Sequence, residues 1–153
     1  MQPSNYVLKG EFKRRNGSSS MPHAGGHRII INLCNDSGDV WEKTAATYPV
    51  EKRWPKCGQE YRRWYLSQYH FKLGEVQEVN VQSDTCLANV IVFQADGSLD
   101  EEALTKAIDR IGEMAYDYNS SVHIQQTQPW DKIEGALIEK IIKRGKNVTV
   151  YVE

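Results

Sequence analysis

The chain has 153 residues, of which 40% are hydrophobic and 25% are charged, and its formal net charge is −1. This composition is typical of a soluble domain with one hydrophobic core, and it excludes a bulk electrostatic attraction to nucleic acid or anionic membranes. No apolar run approaches the roughly 20 residues that a membrane-spanning helix requires. The three widely spaced cysteines do not suggest a disulfide framework or a zinc site. We therefore expect a cytoplasmic protein with reduced thiols and without a metal or cofactor.

Residues 13–26 have the composition of a mobile loop, because serine and glycine predominate and bury little surface. The basic run Lys13-Arg14-Arg15 could contact an anionic partner, although a solvated loop edge is the simpler interpretation. No linker or internal repeat divides the chain. We predict a single domain over residues 1–153, with residues 13–26 as its flexible loop.

Strand and helix patterns follow one another along the chain. Strands are predicted at residues 6–9, 29–34, 77–82, 87–93, 122–125 and 148–152, and helices at residues 58–71, 100–118 and 130–143. Ser98 and Glu101 suggest a capping box for the second helix, while Pro129 and Gly145 bound the third. From residue 87 onward strands and helices alternate, which predicts an α/β domain with a largely parallel sheet and helices on both faces.

The helix predicted at residues 58–71 is rich in aromatic residues and also carries Arg62 and Arg63. Basic side chains among aromatic rings occur on surfaces that bind nucleic acid. Aromatic residues at helical spacing more often belong to a core, and we favour that interpretation.

Polar residues follow several of the predicted strands, and no P-loop, nucleophile elbow or dinucleotide fingerprint accompanies them. They are Gly10-Glu11, Asn35-Asp36-Ser37-Gly38, Gln94-Ala95-Asp96-Gly97 and Gln125-Gln126-Thr127-Gln128. At the carboxyl ends of parallel strands such loops could converge in one ligand-binding crevice. Two of them lead into helix N-termini, which favour anions. For each loop alone, turn formation and helix capping are the alternative.

The order and spacing of these segments resemble the macro domain family, and more closely its bacterial and phage members near the ADP-ribose-binding branch. The resemblance covers residues 6–11, 29–38, 52–55, 61–65, 73–77, 88–91, 121–123, 130–134 and 148–151. It implies a three-layer α/β/α sandwich with a mixed, largely parallel sheet and a cleft for ADP-ribose or a related nucleotide derivative.

The resemblance also implies roles for individual residues. Glu11 stands where the family's Asp contacts adenine, and Asn35 where its Asn meets the distal ribose and, in hydrolytic members, helps to position the reacting group. Gln94 ends the central strand much as a Gln does in similar sequences. The implied ligand-binding residues are Glu11, Asn35, Asp36, Ser37, Gly38, Gln94 and Gln126, with Asn35 and Asp36 as candidate catalytic residues.

Two segments depart from the family pattern. Residues 39–44 replace a glycine-rich turn and add two carboxylates, and residues 125–129 replace the long glycine-rich diphosphate loop without any glycine. Residues other than glycine rarely adopt the positive φ that such an anion nest needs. Each charge-assisted hydrogen bond lost costs roughly 1.5–3 kcal/mol. We therefore expect weakened or altered nucleotide binding.

Three functions are compatible with these observations. The first is a binding module for ADP-ribose or a related nucleotide, without hydrolysis. The second is a hydrolase that removes ADP-ribose or its terminal phosphate. The third is an interaction module that has kept the fold, lost the ligand and contacts a protein or nucleic acid through the aromatic helix or the Lys13-Arg14-Arg15 run.

Overall fold

The computed structural model describes residues 9–38 and 48–152. The strand predicted at residues 6–9 and the substituted turn at residues 39–44 fall outside these ranges, apart from Lys9. The described strands form one six-stranded sheet in the order β1-β6-β5-β2-β4-β3. They are β1 (Phe12–Asn16), β2 (Arg28–Asn35), β3 (Val76–Gln82), β4 (Thr85–Phe93), β5 (Ser121–Gln125) and β6 (Val148–Val152).

The sheet is mixed but largely parallel, as predicted. The pairs β1–β6, β6–β5, β5–β2 and β2–β4 are parallel, and β3 alone among the described strands runs antiparallel, against β4. The helices are α1 (Tyr48–Arg53), α2 (Pro55–Ser67), α3 (Glu101–Tyr118) and α4 (Trp130–Lys140), followed by a 3₁₀ turn at Ile142–Arg144.

Two apolar layers enclose the sheet, which confirms the predicted α/β/α sandwich. One face packs on α3 and α4 through a cluster that includes Ile31, Val90, Ile108 and Leu137. The other face packs on α1 and α2 through two smaller clusters, one of them centred on Cys34, Tyr61, Phe71 and Ile91. The central strands β2 and β4 are buried on both faces, which explains their nearly continuous apolar sequences.

The basic run predicted to lie in a mobile loop instead forms strand β1, and the prediction for residues 13–26 was wrong there. Phe12 through Asn16 pair with Val148 through Val152 of β6. The sequence of this run resembles a loop because charged residues do not alternate with apolar ones. However, β1 is an edge strand, where charged residues are common.

Two helix boundaries also differ from the predictions. The aromatic helix spans Pro55–Ser67 rather than residues 58–71, because Pro55 suits a first helical turn and Gln68 adopts a left-handed φ of 57° that ends the helix. The helix α3 is capped by Asp100, whose carboxylate accepts from the N–H of Ala103 at 2.8 Å. Ser98 instead hydrogen-bonds to Asp96, so the predicted capping box does not form.

Candidate functional site

The carboxyl end of β2 lies at a topological switch point of the sheet. After β2 the chain continues to α1 and α2 on one face, whereas after both neighbouring strands, β4 and β5, it continues to α3 and α4 on the other face. Connections that leave adjacent parallel strands toward opposite faces open a crevice at the carboxyl edge of the sheet. The turn Asn35-Asp36-Ser37-Gly38 therefore stands where open α/β sheets bind their ligands.

Asn35 is held by hydrogen bonds from both sides of this turn. Its Oδ1 accepts from the N–H of Ser37 at 3.1 Å and from the Ser37 hydroxyl at 2.8 Å. The hydroxyl of Tyr61, which projects from α2, lies 2.8 Å from the same oxygen and 2.7 Å from the Asn35 carbonyl oxygen. The side-chain oxygen of Asn35 is thus engaged by Ser37 and Tyr61.

The end of the turn packs tightly against α2. Gly38 has a φ of +75°, and a Cβ atom built on it would lie 2.4 Å from the ring of Tyr65. Glycine is therefore required twice here, for the backbone conformation and for the contact with the ring. On the same side of the turn, a cavity of about 760 Å³ is lined by Asp36, Tyr65, Leu66, Gln68, Phe71, Lys72 and Leu73.

Gln94 lies close to this turn, as expected from its position after β4. Its predecessor Phe93 is the register partner of Asn35, and the carbonyl of Phe93 accepts from the N–H of Asp36 at 3.0 Å. The Gln94 N–H donates to the carbonyl of Ser98 at 2.8 Å, and its side chain is exposed at the carboxyl edge. Asn35, Asp36 and Gln94 are thus brought together.

The loop after β5 borders the crevice opposite Asn35, but several of its polar groups are already engaged. The N–H of Gln126 donates to the carbonyl of Tyr151 at 2.9 Å, and that of Trp130 to Oε1 of Gln128 at 3.4 Å. None of residues 125–129 has a positive φ. The loop therefore does not form a nest of converging N–H groups like the one described above for glycine-rich loops.

A positive charge lies beside the same loop. The guanidinium of Arg14 donates to Oε1 of Gln126 at 2.7 Å and lies 3.3 Å from a carboxylate oxygen of Glu134 on α4. The Arg14 side chain is about half exposed, at 47%. It is therefore accessible to solvent, and nothing in the sequence beyond the basic run itself indicates its position beside this loop.

Glu11 lies at the opposite edge of the sheet, and the prediction that its loop converges with the others was wrong. The carbonyl of Glu11 accepts from the N–H of Val148, the first residue of β6, at 3.0 Å. The described edge strand starts after Glu11, at Phe12, so Glu11 precedes that strand instead of following it. The length of β6, five residues at about 3.3 Å each, separates it from the carboxyl edge.

The structure instead places the beginning of the segment 17–27 at the carboxyl edge. The N–H of Ser19 donates to Oε1 of Gln125 at 3.0 Å, and both Ser19 and Ser20 are buried. This anchoring is not visible in the sequence, because a serine-rich segment does not indicate which side chains will hydrogen-bond to its backbone. The part of residues 13–26 that is a loop is therefore pinned to β5.

The three cysteines are buried and form no disulfide bond. Burial raises the pKa of Cys57 to about 12 and that of Cys86 to about 11, so neither thiol is a nucleophile at neutral pH. Within residues 9–38 and 48–152, no three His, Cys, Asp or Glu side chains cluster as metal ligands. Over the same ranges, no helix has the length and apolar character to cross a membrane.

No protein-family model matches the sequence, and no curated protein matches it either. Solved structures do match. A macrodomain protein from Streptomyces coelicolor is 28% identical, with a TM-score of 0.86 over 92% of this chain and 98% of that chain. A protein of unknown function from Bacteroides thetaiotaomicron is 26% identical, with a TM-score of 0.87 over 94% and 99%.

A more distant similarity points to the same fold. The macrodomain of Mycobacterium tuberculosis DarG is 14% identical, with a TM-score of 0.75 over 93% of this chain and 97% of that chain. The sheet order, the two helical layers and the match over nearly the whole length agree with one another. The chain therefore has the macrodomain fold, and it is similar to solved macrodomains over nearly its whole length.

Proposed function

We propose that this domain binds ADP-ribose or a related nucleotide derivative in the crevice between residues 35–38 and residues 125–128, weakly or with altered specificity, and without hydrolysing it. The observation that carries the proposal is the position of Asn35 at the switch point of a macrodomain sheet, with its side-chain oxygen held by Ser37 and Tyr61. A nucleotide offers hydroxyl and phosphate oxygens as acceptors for the amide nitrogen of this side chain.

The loop after β5 supports weak or altered binding. The N–H of Gln126 is bonded to Tyr151, the side-chain oxygen of Gln128 accepts from the N–H of Trp130 at the start of α4, and no residue of the loop adopts the positive φ of an anion nest. The ligand would gain fewer hydrogen bonds to its phosphates, and each one absent costs roughly 1.5–3 kcal/mol. Arg14 supplies a compensating charge at the same loop, although Gln126 and Glu134 share its guanidinium.

The hydrogen bonds of Asn35 also favour binding over hydrolysis. Its Oδ1 is bonded to Ser37 and Tyr61, and its amide nitrogen accepts no proton, so Asn35 does not activate a water molecule. Hydrolysis would then depend on the carboxylate of Asp36 as a general base. Asp36 is one of the residues that line the cavity on the α2 side of the turn.

The ligand-contacting residues in this proposal are those that lie at the carboxyl edge: Asn35, Asp36, Ser37, Gly38, Gln94 and Gln126. Glu11 is left out, because it lies at the amino edge of the sheet. In this proposal the adenine contacts another part of the carboxyl edge, such as the start of segment 17–27. The family resemblance had assigned this contact to Glu11.

Isothermal titration with ADP-ribose tests the proposal, with AMP and ribose 5-phosphate as partial ligands. We expect binding in the micromolar to millimolar range that the Asn35→Ala variant weakens at least about fivefold, the loss of one to two hydrogen bonds. Asn80→Ala is the control, since Asn80 is exposed on the edge strand β3. Absence of both heat and thermal shift at millimolar ADP-ribose would overturn the proposal.

The same samples test the absence of hydrolysis. We expect ADP-ribosylated protein and ADP-ribose 1″-phosphate to persist in the presence of the wild-type domain. Hydrolysis that disappears in Asp36→Asn but not in Asn80→Ala would establish the enzymatic alternative instead.

A further inference from the structure

We propose that Tyr61 is a positioning residue that, together with Ser37, locks Asn35 as a hydrogen-bond donor toward the crevice, so that the ligand atom facing Asn35 is an acceptor oxygen. The inference rests on the proposed function of the crevice. It adds that the side-chain amide of Asn35 acts there as a hydrogen-bond donor. It assigns a function to Tyr61, which lies on α2 and belongs to the core.

The orientation of the Asn35 amide follows from the donors around it. A backbone N–H can only donate, and that of Ser37 points at the Asn35 side chain at 3.1 Å. The atom that it meets must therefore be the oxygen. The amide nitrogen, with its two protons, then occupies the other branch of the side chain and is available to an acceptor.

Tyr61 makes this orientation rigid from a different part of the chain. Its ring is 2% exposed and packs at 5.8 Å, centroid to centroid, against Phe71. Its hydroxyl reaches both the carbonyl oxygen and Oδ1 of Asn35, at 2.7 and 2.8 Å. A buried ring has little rotational freedom, so α2 fixes the last residue of β2 at both its backbone and its side chain.

The place of this contact explains why additional support is needed. The register between β2 and β4 shifts after Cys34. Cys34 pairs with Ile91, but Asn35 pairs with Phe93 instead of Val92. A bulge at the end of a strand changes the direction of the following side chain. Strand pairing alone does not fix the direction of the Asn35 side chain, and the hydrogen bonds from Tyr61 and Ser37 do so.

The consequence for recognition is a preference among ligand atoms. A donor amide favours phosphate, carbonyl or hydroxyl oxygens and gains nothing from a group that only donates. Replacing Asn35 with Asp would keep the oxygen that accepts from Ser37 and replace the donor by a negatively charged acceptor. Close to a phosphate, this charge would oppose binding.

A double-mutant cycle with ADP-ribose as the titrant tests the inference. Tyr61→Phe keeps the ring in the core and removes the hydroxyl, and we expect it to weaken binding by about three- to tenfold, which corresponds to one hydrogen bond. In the Asn35→Ala background the same substitution should change the affinity by less than about twofold. Asn35→Asp should bind no better than Asn35→Ala.

The matched control is Tyr118→Phe. The Tyr118 hydroxyl also makes a hydrogen bond, to the carboxylate of Glu78 at 2.6 Å, but on the exposed surface outside the crevice. It should leave the affinity unchanged in both backgrounds. Equal losses from Tyr61→Phe with and without the Asn35 side chain, or wild-type affinity in Asn35→Asp, would overturn the inference.

A readout without ligand separates failure of this inference from failure of the proposed function. The side-chain amide signals of Asn35 are identified in ¹H–¹⁵N spectra by their disappearance in Asn35→Ala. We expect a soluble gadolinium chelate to broaden them strongly, and Tyr61→Phe, but not Tyr118→Phe, to shift them. If the Asn35 signals stay sharp with the chelate or are not shifted by Tyr61→Phe, the inference is overturned even if ADP-ribose binds. If both changes are seen, the donor geometry is supported even if ADP-ribose does not bind.

Discussion

The hydroxyl of Tyr151 lies 2.7 Å from Nδ1 of His123, and both side chains are buried. The N–H of His23 donates to the same hydroxyl at 2.9 Å, so the hydroxyl's own proton is directed to Nδ1. Nε2 then carries the ring proton and donates to Oγ of Ser121 at 2.8 Å. This series of bonds ties the segment 17–27 to β5 and β6 and requires a neutral imidazole.

Tyr151→Phe should release the segment 17–27 from the sheet. The substitution leaves the N–H of His23 and Nδ1 of His123 without their partner, which should lower the free energy of unfolding by about 1–3 kcal/mol. Urea denaturation measures this loss, and amide hydrogen exchange should accelerate within residues 18–27. Tyr116→Phe is the control, since Tyr116 is 70% exposed. Equal stability of the two variants would contradict this assignment.

The stability of the domain should fall as the pH is lowered from about 6.5 to about 4. Burial disfavours the charged imidazole and lowers the pKa of His123 from 6.5 to about 4, with a smaller contribution from the positive charge of Arg28. In this window the unfolded chain binds a proton that the folded protein excludes, so each pH unit costs up to about 1.4 kcal/mol.

Comparison of wild type with His123→Gln isolates this effect from the carboxylates. The difference between their free energies of unfolding should change between pH 6.5 and 4 and remain constant above pH 7. The ring signals of His123 in NMR spectra should not titrate until the pH approaches 4. A ring that titrates near pH 6.5 in the folded protein would be incompatible with the proposed bonding.

Arg14→Gln should weaken the binding of ADP-ribose by about three- to tenfold at low ionic strength. The guanidinium lies at the loop that faces the proposed phosphate position, and half-exposed charges act through a screened Coulomb attraction. The loss should shrink toward zero at about 0.5 M salt. Arg110→Gln makes the same change of charge on α3, and an equal loss there would show that only the net charge matters.

Gly38→Ala should destabilise the domain more than Gly97→Ala does. Both glycines have a positive φ, but a Cβ atom would lie 2.4 Å from the ring of Tyr65 at Gly38 and would meet nothing within 4 Å at Gly97. We expect a cost of about 1 kcal/mol at Gly97 from the backbone alone, and about 1–3 kcal/mol more at Gly38 from overpacking.

Urea denaturation of both variants and of Gly38→Ala combined with Tyr65→Ala checks this prediction. Removal of the ring should recover part of the additional cost at Gly38, because the contact that causes it is gone. If the two single variants are equally stable, the contact with Tyr65 does not constrain the turn.

The elements that the sequence predicts most accurately are those with strong local patterns of apolar residues. The strand ending in Asn35 and the helix at Glu101–Tyr118 have continuous apolar or helical patterns, and both form within one residue of the predicted bounds. Strand β1 has no such pattern. It becomes a strand because β6 offers it an unpaired edge, and that edge exists only once the sheet has assembled.

The sequence by itself determined the fold class and the turn at Asn35, because periodicity, β-branched residues and turn residues act over short distances along the chain. Only the tertiary structure decided which loops share an edge. It moved Glu11 to the far edge, brought Arg14 to the loop after β5, and placed the Tyr61 hydroxyl on Asn35 across 26 positions of sequence. These contacts depend on strand order and on which face each helix covers, and neither is encoded in a local pattern.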